Sequence, residues 1–348
     1  MHQSTITDVA HAANVSTATV SRALSGTGRV SEKTRRKVLK VASELGYMGN
    51  SIARALRSKH SGIVGMIVPS ISNPFFTALV ESVEHELQLV GKTLFLCDSQ
   101  GDVALEARRL RSLQESHVDG ILISPCHGIE SVTALNNIPK SIPVVQLDQF
   151  VVGTATDWVG IDDEKAMELV LSHAAQQGAT SAVFVSSAST NSSTQARLAG
   201  FLKHSETHGI SVEPDDIMLG RFSVEWGEKV GARLLAHPKM PDVIVCGADI
   251  IAFGIIRAFT AAEVSIPGRV MLTGFDDVAF ASIITPSLTT VRQPTRLLAA
   301  EAVRLMSQPP TEGVKAHAKV AFAPQLIIRE STTRPAGGDA TRTQEFTS

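Results

Sequence analysis

From Gly62 onward the chain repeats one unit, a short apolar run followed by an amphipathic stretch. The runs are GIVGMIVP (62–69), TLFLCDS (93–99), GILISP (120–125), PVVQLD (143–148), SAVFVSS (181–187), DVIVCG (242–247) and RVMLTGFDD (269–277). Each is too short for a helix and lacks polar alternation, the pattern of a strand buried on both faces. Helical periodicity lies between them, around 75–90, 103–116, 164–177, 194–208, 225–236 and 249–262. Such alternation builds parallel sheets flanked by helices, so the expected fold class of the body is α/β. The strands are too many for one small sheet.

The first sixty residues follow a different pattern. TITDVAHAANVSTATVSRAL (5–24) reads as two short helices and a tight turn. Thr5 caps the first, with Asp8 three residues on to complete a capping box. Ile6, Val9, Ala10 and Ala13 share its inner face. Asn14 suits the left-handed turn, Val15 plugs the core, and Ser16 caps the second helix. Val20, Ala23 and Leu24 face inward, which leaves Thr17, Ala18, Ser21 and Arg22 outward. A narrow, polar N-terminal helix end of this kind can enter a DNA major groove and reach base edges. Ser31 caps a third helix, Glu32 to Leu45, whose Val38, Val41, Ala42 and Leu45 close a small all-α core before Gly46.

Charge separates the same two parts. Residues 1–60 hold ten Lys and Arg against three acids, a net +7, whereas the whole chain is −2 and the remainder therefore −9. A basic head on an acidic body fits a nucleic-acid reader with a second, separate task. Between them NSIARALRSK (50–59) is a candidate helix, but ten residues are too few to persist alone in water.

These residues, with VSEKTRRKV, ELGY and NSIARALRS after them, closely resemble the DNA-binding head of the LacI/GalR family of bacterial transcription regulators, and the similarity runs to about Glu330. Gly49 departs from the pattern, since many relatives carry Pro there. The resemblance implies a helix–turn–helix domain over 1–48, a hinge helix over 49–60, and a two-lobed body over 61–331 like a periplasmic sugar-binding protein. The chain would cross between lobes three times, giving lobe 1 as 61–160 with 291–320 and lobe 2 as 161–290 with 321–331. Residues 332–348, polar and bearing Gly and Pro without leucine heptads, are expected to be a disordered tail. The resemblance further implies a homodimer on double-stranded, pseudo-palindromic operator DNA, contacted by Thr5, Thr17, Ala18, Thr19, Ser21, Arg22, Asn50, Ala53 and Leu56. Leu56 would be a wedge in the minor groove. Operator affinity would be under allosteric control of a small effector, and repression is the expected outcome.

Ligands of open α/β sheets bind beyond the carboxyl ends of the strands. Asn73, Phe75, Phe76, Asp148 and Asp276 sit there, and the resemblance adds Arg197, Phe222 and Gln293. Carboxylates, amides, a guanidinium and aromatic faces suit a pentose, another sugar or a ribonucleoside. Phe75 and Phe76 could equally be the first buried turn of a helix, Asp276 or Asp277 could cap one, and Asp98 reads as a turn residue. SNPFF resembles ribose-recognising members, but Gln149 stands where they carry Arg and Ala248 where they carry Asn.

Other classes find little support in the sequence. No GxGxxG follows the first strand, and no GxSxG is present. Gly91-Lys92-Thr93 mimics the end of a phosphate loop but has Glu86 where the first Gly belongs. His204 and His208 have a zinc-like spacing without a third ligand. No catalytic residue, metal or cofactor is expected. Cys97, Cys126 and Cys246 are far apart and read as buried thiols on strands. No run approaches the ~20 apolar residues that span a bilayer, and the N-terminus lacks a signal pattern, so a cytoplasmic protein, nucleoid-associated when bound, is expected rather than a transport binding protein.

Overall fold

The computed structural model describes residues 4–25, 30–47, 61–237, 239–308 and 317–333. Its contacts divide the chain into two compact units: Met1–Ile63 with His117–Asp119, and Val64–Ser116 with Gly120–Ser348.

Among the described residues the first unit contains three helices, α1 (Ile6–Ala13), α2 (Thr17–Ser25) and α3 (Glu32–Glu44). The capping box forms: Thr5 Oγ1 accepts from Asp8 N, and the Asp8 carboxylate accepts from Thr5 N at 2.7 Å. Asn14 ends α1 in the left-handed region (φ 50°, ψ 52°), and Ser16 Oγ accepts from Thr19 N at 3.2 Å to start α2. Val9, Ala10, Ala13, Val20, Ala23, Val38 and Ala42 form the core, with Ile6, Val15, Leu24 and Val41 packed on it. Leu45 departs from expectation. It ends α3 as the C-cap and is 38% exposed, because the helix stops a residue early and Gly46 (φ +59°) turns the chain away. Ser4 Oγ donates to Leu45 O instead, at 2.7 Å, so the backbone there serves the fold where the side chain does not.

The second unit holds two six-stranded sheets. In chain order the strands are β1 (Ile63–Val68), β2 (Thr93–Asp98), β3 (Gly120–Ile123), β4 (Val144–Leu147), β5 (Asp157–Ile161), β6 (Ala182–Ser187), β7 (Ile217–Gly220), β8 (Val243–Cys246), β9 (Met271–Asp276), β10 (Thr289–Arg292), β11 (Lys319–Phe322) and β12 (Gln325–Ile327). The first sheet runs β11-β5-β4-β3-β1-β2 and the second β12-β10-β9-β8-β6-β7. The strands pair in parallel in β1–β3, β3–β4, β4–β5, β5–β11, β6–β7, β6–β8, β8–β9 and β9–β10, and antiparallel in β10–β12. Helices α4 (Pro74–Leu89), α5 (Val103–Glu115), α6 (Val132–Asn136), α7 (Asp163–Gln176), α8 (Ser192–Thr207), α9 (Val224–Leu235), α10 (Asp249–Ala261) and α11 (Thr295–Met306) complete it. The strands that sequence patterning omitted, β5, β7, β10, β11 and β12, are short or lie at sheet edges, and α11 was likewise not recognised as a helix.

The chain passes between the sheets three times, each one or two residues later than expected. β5 reaches Ile161 in the first sheet before α7 packs on α8. β10 keeps Val291 and Arg292 in the second sheet, paired with Phe275 and Asp276 of β9. β11 keeps Ala321 and Phe322 in the first, paired with Gly160 and Ile161. The two later crossings carry Pro294 and Pro324, which cannot donate to a ladder and so end the pairing. The expected tail also starts too early. Thr332 is fully buried, its Oγ1 hydrogen-bonded to Thr289 Oγ1 (2.7 Å) and His173 Nε2 (2.8 Å), while Ser331 Oγ donates to Leu272 O. Polar Ser and Thr here satisfy strand-end groups rather than water. Of the cysteines, Cys246 alone is buried, whereas Cys97 and Cys126 are partly exposed and Cys126 lies beyond its strand.

Helices α9 and α10 meet backbone to backbone. A Cβ on Gly227 would stand 2.1 Å from Ile251 O and 2.9 Å from Gly254 Cα. Backbone on both sides cannot yield as a side chain would. Gly227→Ala is therefore expected to destabilise the body by ~1–3 kcal/mol despite alanine's better helix propensity. Urea unfolding of the variant checks this, and a midpoint at or above wild type would contradict it.

Candidate functional site

Every sequence-identified residue of the body meets at one place. Asn73, Phe75, Phe76, Asp148, Arg197, Phe222, Asp276 and Gln293 line a single cavity, joined by Gln149, Ser193 and Ala248. It lies where strands of both sheets end: Asp148 follows β4, Asp276 closes β9, and Gln293 follows β10 at the second crossing. The lobes are closed upon it, leaving about 10 Å³, roughly one water molecule. A larger space of about 510 Å³ adjoins it, sharing Phe75, Asp276 and Gln293 and lined also by Glu81, Asp277 and Arg292.

The elements explain the placement. Asn73 caps α4 through Oδ1, which accepts from Phe75 N at 3.1 Å, and Pro74 fits the first helical turn. Phe75 and Phe76 follow edge to face with centroids 5.1 Å apart. Both are within 3% of full burial, so each is part of the core and part of the lining at once. Asp98, by contrast, is a turn residue whose Oδ1 accepts from Gln100 N.

Arg197 on α8 is the electrostatic centre. Only 3% exposed, it donates from Nε to Asp163 Oδ1 (2.8 Å) and from Nη1 to Gly247 O (2.8 Å). Its Nη2 lies 3.7 Å from Asp148 Oδ1, and its Cζ sits 3.6 Å above the Phe275 ring. Burial disfavours the charged guanidinium, but Asp163, Asp148 and Asp276 offset this and raise its pKa. Burial likewise pushes Asp148 up to about 7 against the pull of Arg197, raises Asp163, and carries Asp276 well above the carboxylate range. Gln293 Nε2 donates to Asp276 Oδ1 at 2.8 Å, which turns its Oε1 away, and that atom, Gln149 Oε1 and Ser193 Oγ are buried without a partner. A polar cavity with unpaired acceptors and a fixed guanidinium can take a small ligand rich in hydroxyls.

Sequence reading missed Asp163, Gly247, Phe275 and Ser193. Asp163 comes two residues after β5, past the N-cap Asp162, and would have been found by the strand-end rule had that strand been recognised. Ser193, in the first turn of α8, offered no signal.

In the first unit Thr5, Thr17, Ala18 and Arg22 are exposed, and Thr19 and Ser21 are intermediate. Arg22 Nε donates to Ala18 O at 3.2 Å, folding the guanidinium along the helix. Lys33, Arg35, Arg36, Lys37 and Lys40 give α3 an exposed basic surface, with Glu32 and Glu44 beside Arg36 and Lys40. Asn50, Ala53, Leu56 and Gly49 lie outside the described residues. Among the described residues no group of His, Cys, Asp and Glu could hold a metal ion, and no helix is long and apolar enough to cross a membrane.

Residues 5–50 match the model of bacterial regulatory proteins of the lacI family, and residues 171–332 that of a periplasmic binding protein-like domain. The chain is 32% identical over 335 residues to the HTH-type transcriptional regulator DegA of Bacillus subtilis, covering 95% of this chain and 98% of that protein. It is 31% identical to the HTH-type transcriptional repressor PurR of Photobacterium profundum (94% and 98% covered) and 31% identical to a ribose operon repressor of Halalkalibacterium halodurans (94% and 97%). The crystal structure of the lac repressor dimer bound to operator and the anti-inducer ONPF superposes with a TM-score of 0.85 over 96% of this chain and 100% of that one, at 24% identity, which shows a common fold. These relatives are regulators rather than enzymes. The chain belongs to the LacI family of bacterial transcriptional regulators, with a helix–turn–helix DNA-binding domain and a periplasmic-binding-protein-like body.

Proposed function

We propose that the chain is a homodimeric, cytoplasmic repressor whose affinity for a pseudo-palindromic operator is set by a pentose, another sugar or a ribonucleoside held between the lobes. The observation that carries the effector half is the convergence of Asp148, Asp276, Arg197, Gln293 and the phenylalanines on one closed cavity. Relatives called PurR and a ribose operon repressor stand at the same identity, so resemblance does not choose among effectors. The cavity itself has room for about one water, so a sugar held there requires the lobes to part or extends into the adjoining space of about 510 Å³, which residues of both lobes line. Effector binding is therefore tied to lobe geometry, the condition for coupling to a distant site. The hinge helix, with Leu56 in the minor groove, is the proposed carrier of that coupling.

Thermal-shift screening of pentoses, hexoses and ribonucleosides identifies the effector, since a ligand at a hundred times its dissociation constant adds ~2.7 kcal/mol of stability. Asp276→Asn keeps the side-chain shape but replaces one carboxyl oxygen with an amide NH2. It is expected to weaken effector binding by ~1.5–3 kcal/mol, about tenfold or more, while operator affinity without effector stays as in wild type. Calorimetry showing unchanged affinity for the screened effector would remove Asp276 from the site.

In the head, exchanging Thr17 and Ala18 is expected to change which operator is selected, whereas Lys33→Ala or Arg35→Ala weakens all sequences alike and lowers the salt slope by about one. Selection from a randomised duplex pool distinguishes the two, and the same preferred sequence in both variants contradicts the docking.

The buried acids also predict a pH effect. Asp148 titrates at about 7 in the fold against 3.8 ordinarily, so between these values the folded state holds the extra proton. Stability then falls as pH rises through that window and levels off above it. Asp148→Asn is expected to flatten this decline in urea midpoints measured from pH 5 to 8, and an equally steep decline in the variant would show that Asp148 does not carry it.

A further inference from the structure

Asp249 is a fully buried carboxylate with no place in the cleft lining. As the first residue of α10 it stands where an acid commonly serves its own helix, and the N-cap Ala248 offers no side-chain bond. Its hydrogen bonds run elsewhere. Oδ2 accepts from Val278 N at 2.9 Å and Oδ1 from Thr290 Oγ1 at 2.6 Å. Both partners flank the turn that follows β9. Gly274 makes room for this reach, since a Cβ there would stand 2.0 Å from Asp249 Oδ1.

That turn is strained. Asp276 has φ 110° and Asp277 φ 53°, two successive non-glycine residues with positive φ, a geometry kept only where the surroundings enforce it. Asp277 is gripped from outside by Arg292 Nε (2.6 Å) and Arg329 Nη2 (2.5 Å), and its N–H points to Thr290 Oγ1 at 3.4 Å. From beneath, Asp249 holds the far end of the turn and the same threonine.

We propose that Asp249 is a positioning residue for effector recognition, holding the Asp276–Val278 turn in the left-handed geometry that presents Asp276 to the cleft. This rests on the reading of Asp276 as an effector contact. Shape and hydrogen bonding carry the role, not charge. An asparagine could accept from Val278 N–H through Oδ1 and donate to Thr290 Oγ1 through Nδ2. Burial already pushes the Asp249 carboxyl up to about 7, with Thr290 and Val278 opposing, in keeping with a site where a neutral group would serve.

The test uses the full chain as wild type, Asp249→Ala, Asp249→Asn, Thr290→Val and Asp276→Asn. Site-resolved hydrogen exchange without ligand is compared with calorimetric titration by D-ribose. In Asp249→Ala the Val278 amide is expected to exchange about tenfold faster while β8 amides stay protected as in wild type. D-ribose affinity falls about tenfold in the same variant and stays within about threefold in Asp249→Asn. If Asp249→Ala does not fold, Thr290→Val, which removes one hydroxyl, shows the same changes in smaller degree. Wild-type protection of Val278 in both Asp249→Ala and Thr290→Val overturns the proposal. So does faster exchange spread evenly over β8 and β9, which marks a purely structural role. Undiminished D-ribose affinity in Asp276→Asn would instead sink the effector reading, and the exchange at Val278, which needs no ligand, still decides for or against Asp249.

Discussion

The closed body depends on one buried cation. The cost of burying the Arg197 charge at 3% exposure is offset by the carboxyl groups of Asp163 and Asp148, the Gly247 carbonyl and the Phe275 face around it. Removing one partner of such a cluster costs ~3–5 kcal/mol, because the remaining charge is left uncompensated. The cluster also joins the lobes, since Asp148 follows a strand of the first sheet while Asp163 and Arg197 stand on helices of the second lobe. Two further hydrogen bonds span the same gap: Phe150 N donates to Ser192 Oγ at 2.8 Å, and Gly128 N to Thr190 O at 2.7 Å. The Arg197–Asp148 ion pair, at 3.7 Å, is thus one of the contacts that span the lobes.

The capping box, the left-handed Asn14, the α/β alternation and the cleft residues Asn73, Phe75, Phe76, Asp148 and Asp276 were legible because each rests on local chemistry or on the strand-end rule, whereas Arg197, Phe222 and Gln293 were reached only through the family resemblance. The crossings were misplaced because a strand's last pair depends on its neighbour, as Arg292 with Asp276 shows, and not on its own sequence. Pro294 and Pro324 were the available signals. The burial of Thr332, the first residue assigned to the tail, was invisible for the opposite reason, and Ser331 before it is as polar. Their polarity is that of a tail, and only the tertiary partners at Thr289, Leu272 and His173 turn it into a core feature. Asp163 shows how such errors propagate: a missed short strand hid the main partner of the central arginine.

Three of the seven non-glycine residues with positive φ among the described residues stand at the cavity or the space adjoining it. Asp148, Asp276 and Asp277 all have positive φ, at ~1–3 kcal/mol each, and all three follow or end a strand at the cleft. A strand-end residue in the ordinary β region continues along the sheet edge. A left-handed one bends the chain so that the carboxylate can point across the strand ends toward the opposite lobe. Aspartate tolerates that conformation better than most residues, so the position selects the same side chain for backbone and for chemistry. Glycine would relieve the strain but supply no acceptor. The site therefore keeps its carboxylates in place only while the packing beneath them holds, and the hydrogen bonds from Trp158 Nε1 to Asp148 O (3.1 Å) and from Val278 N to Asp249 Oδ2 are that packing's most direct links to the turns.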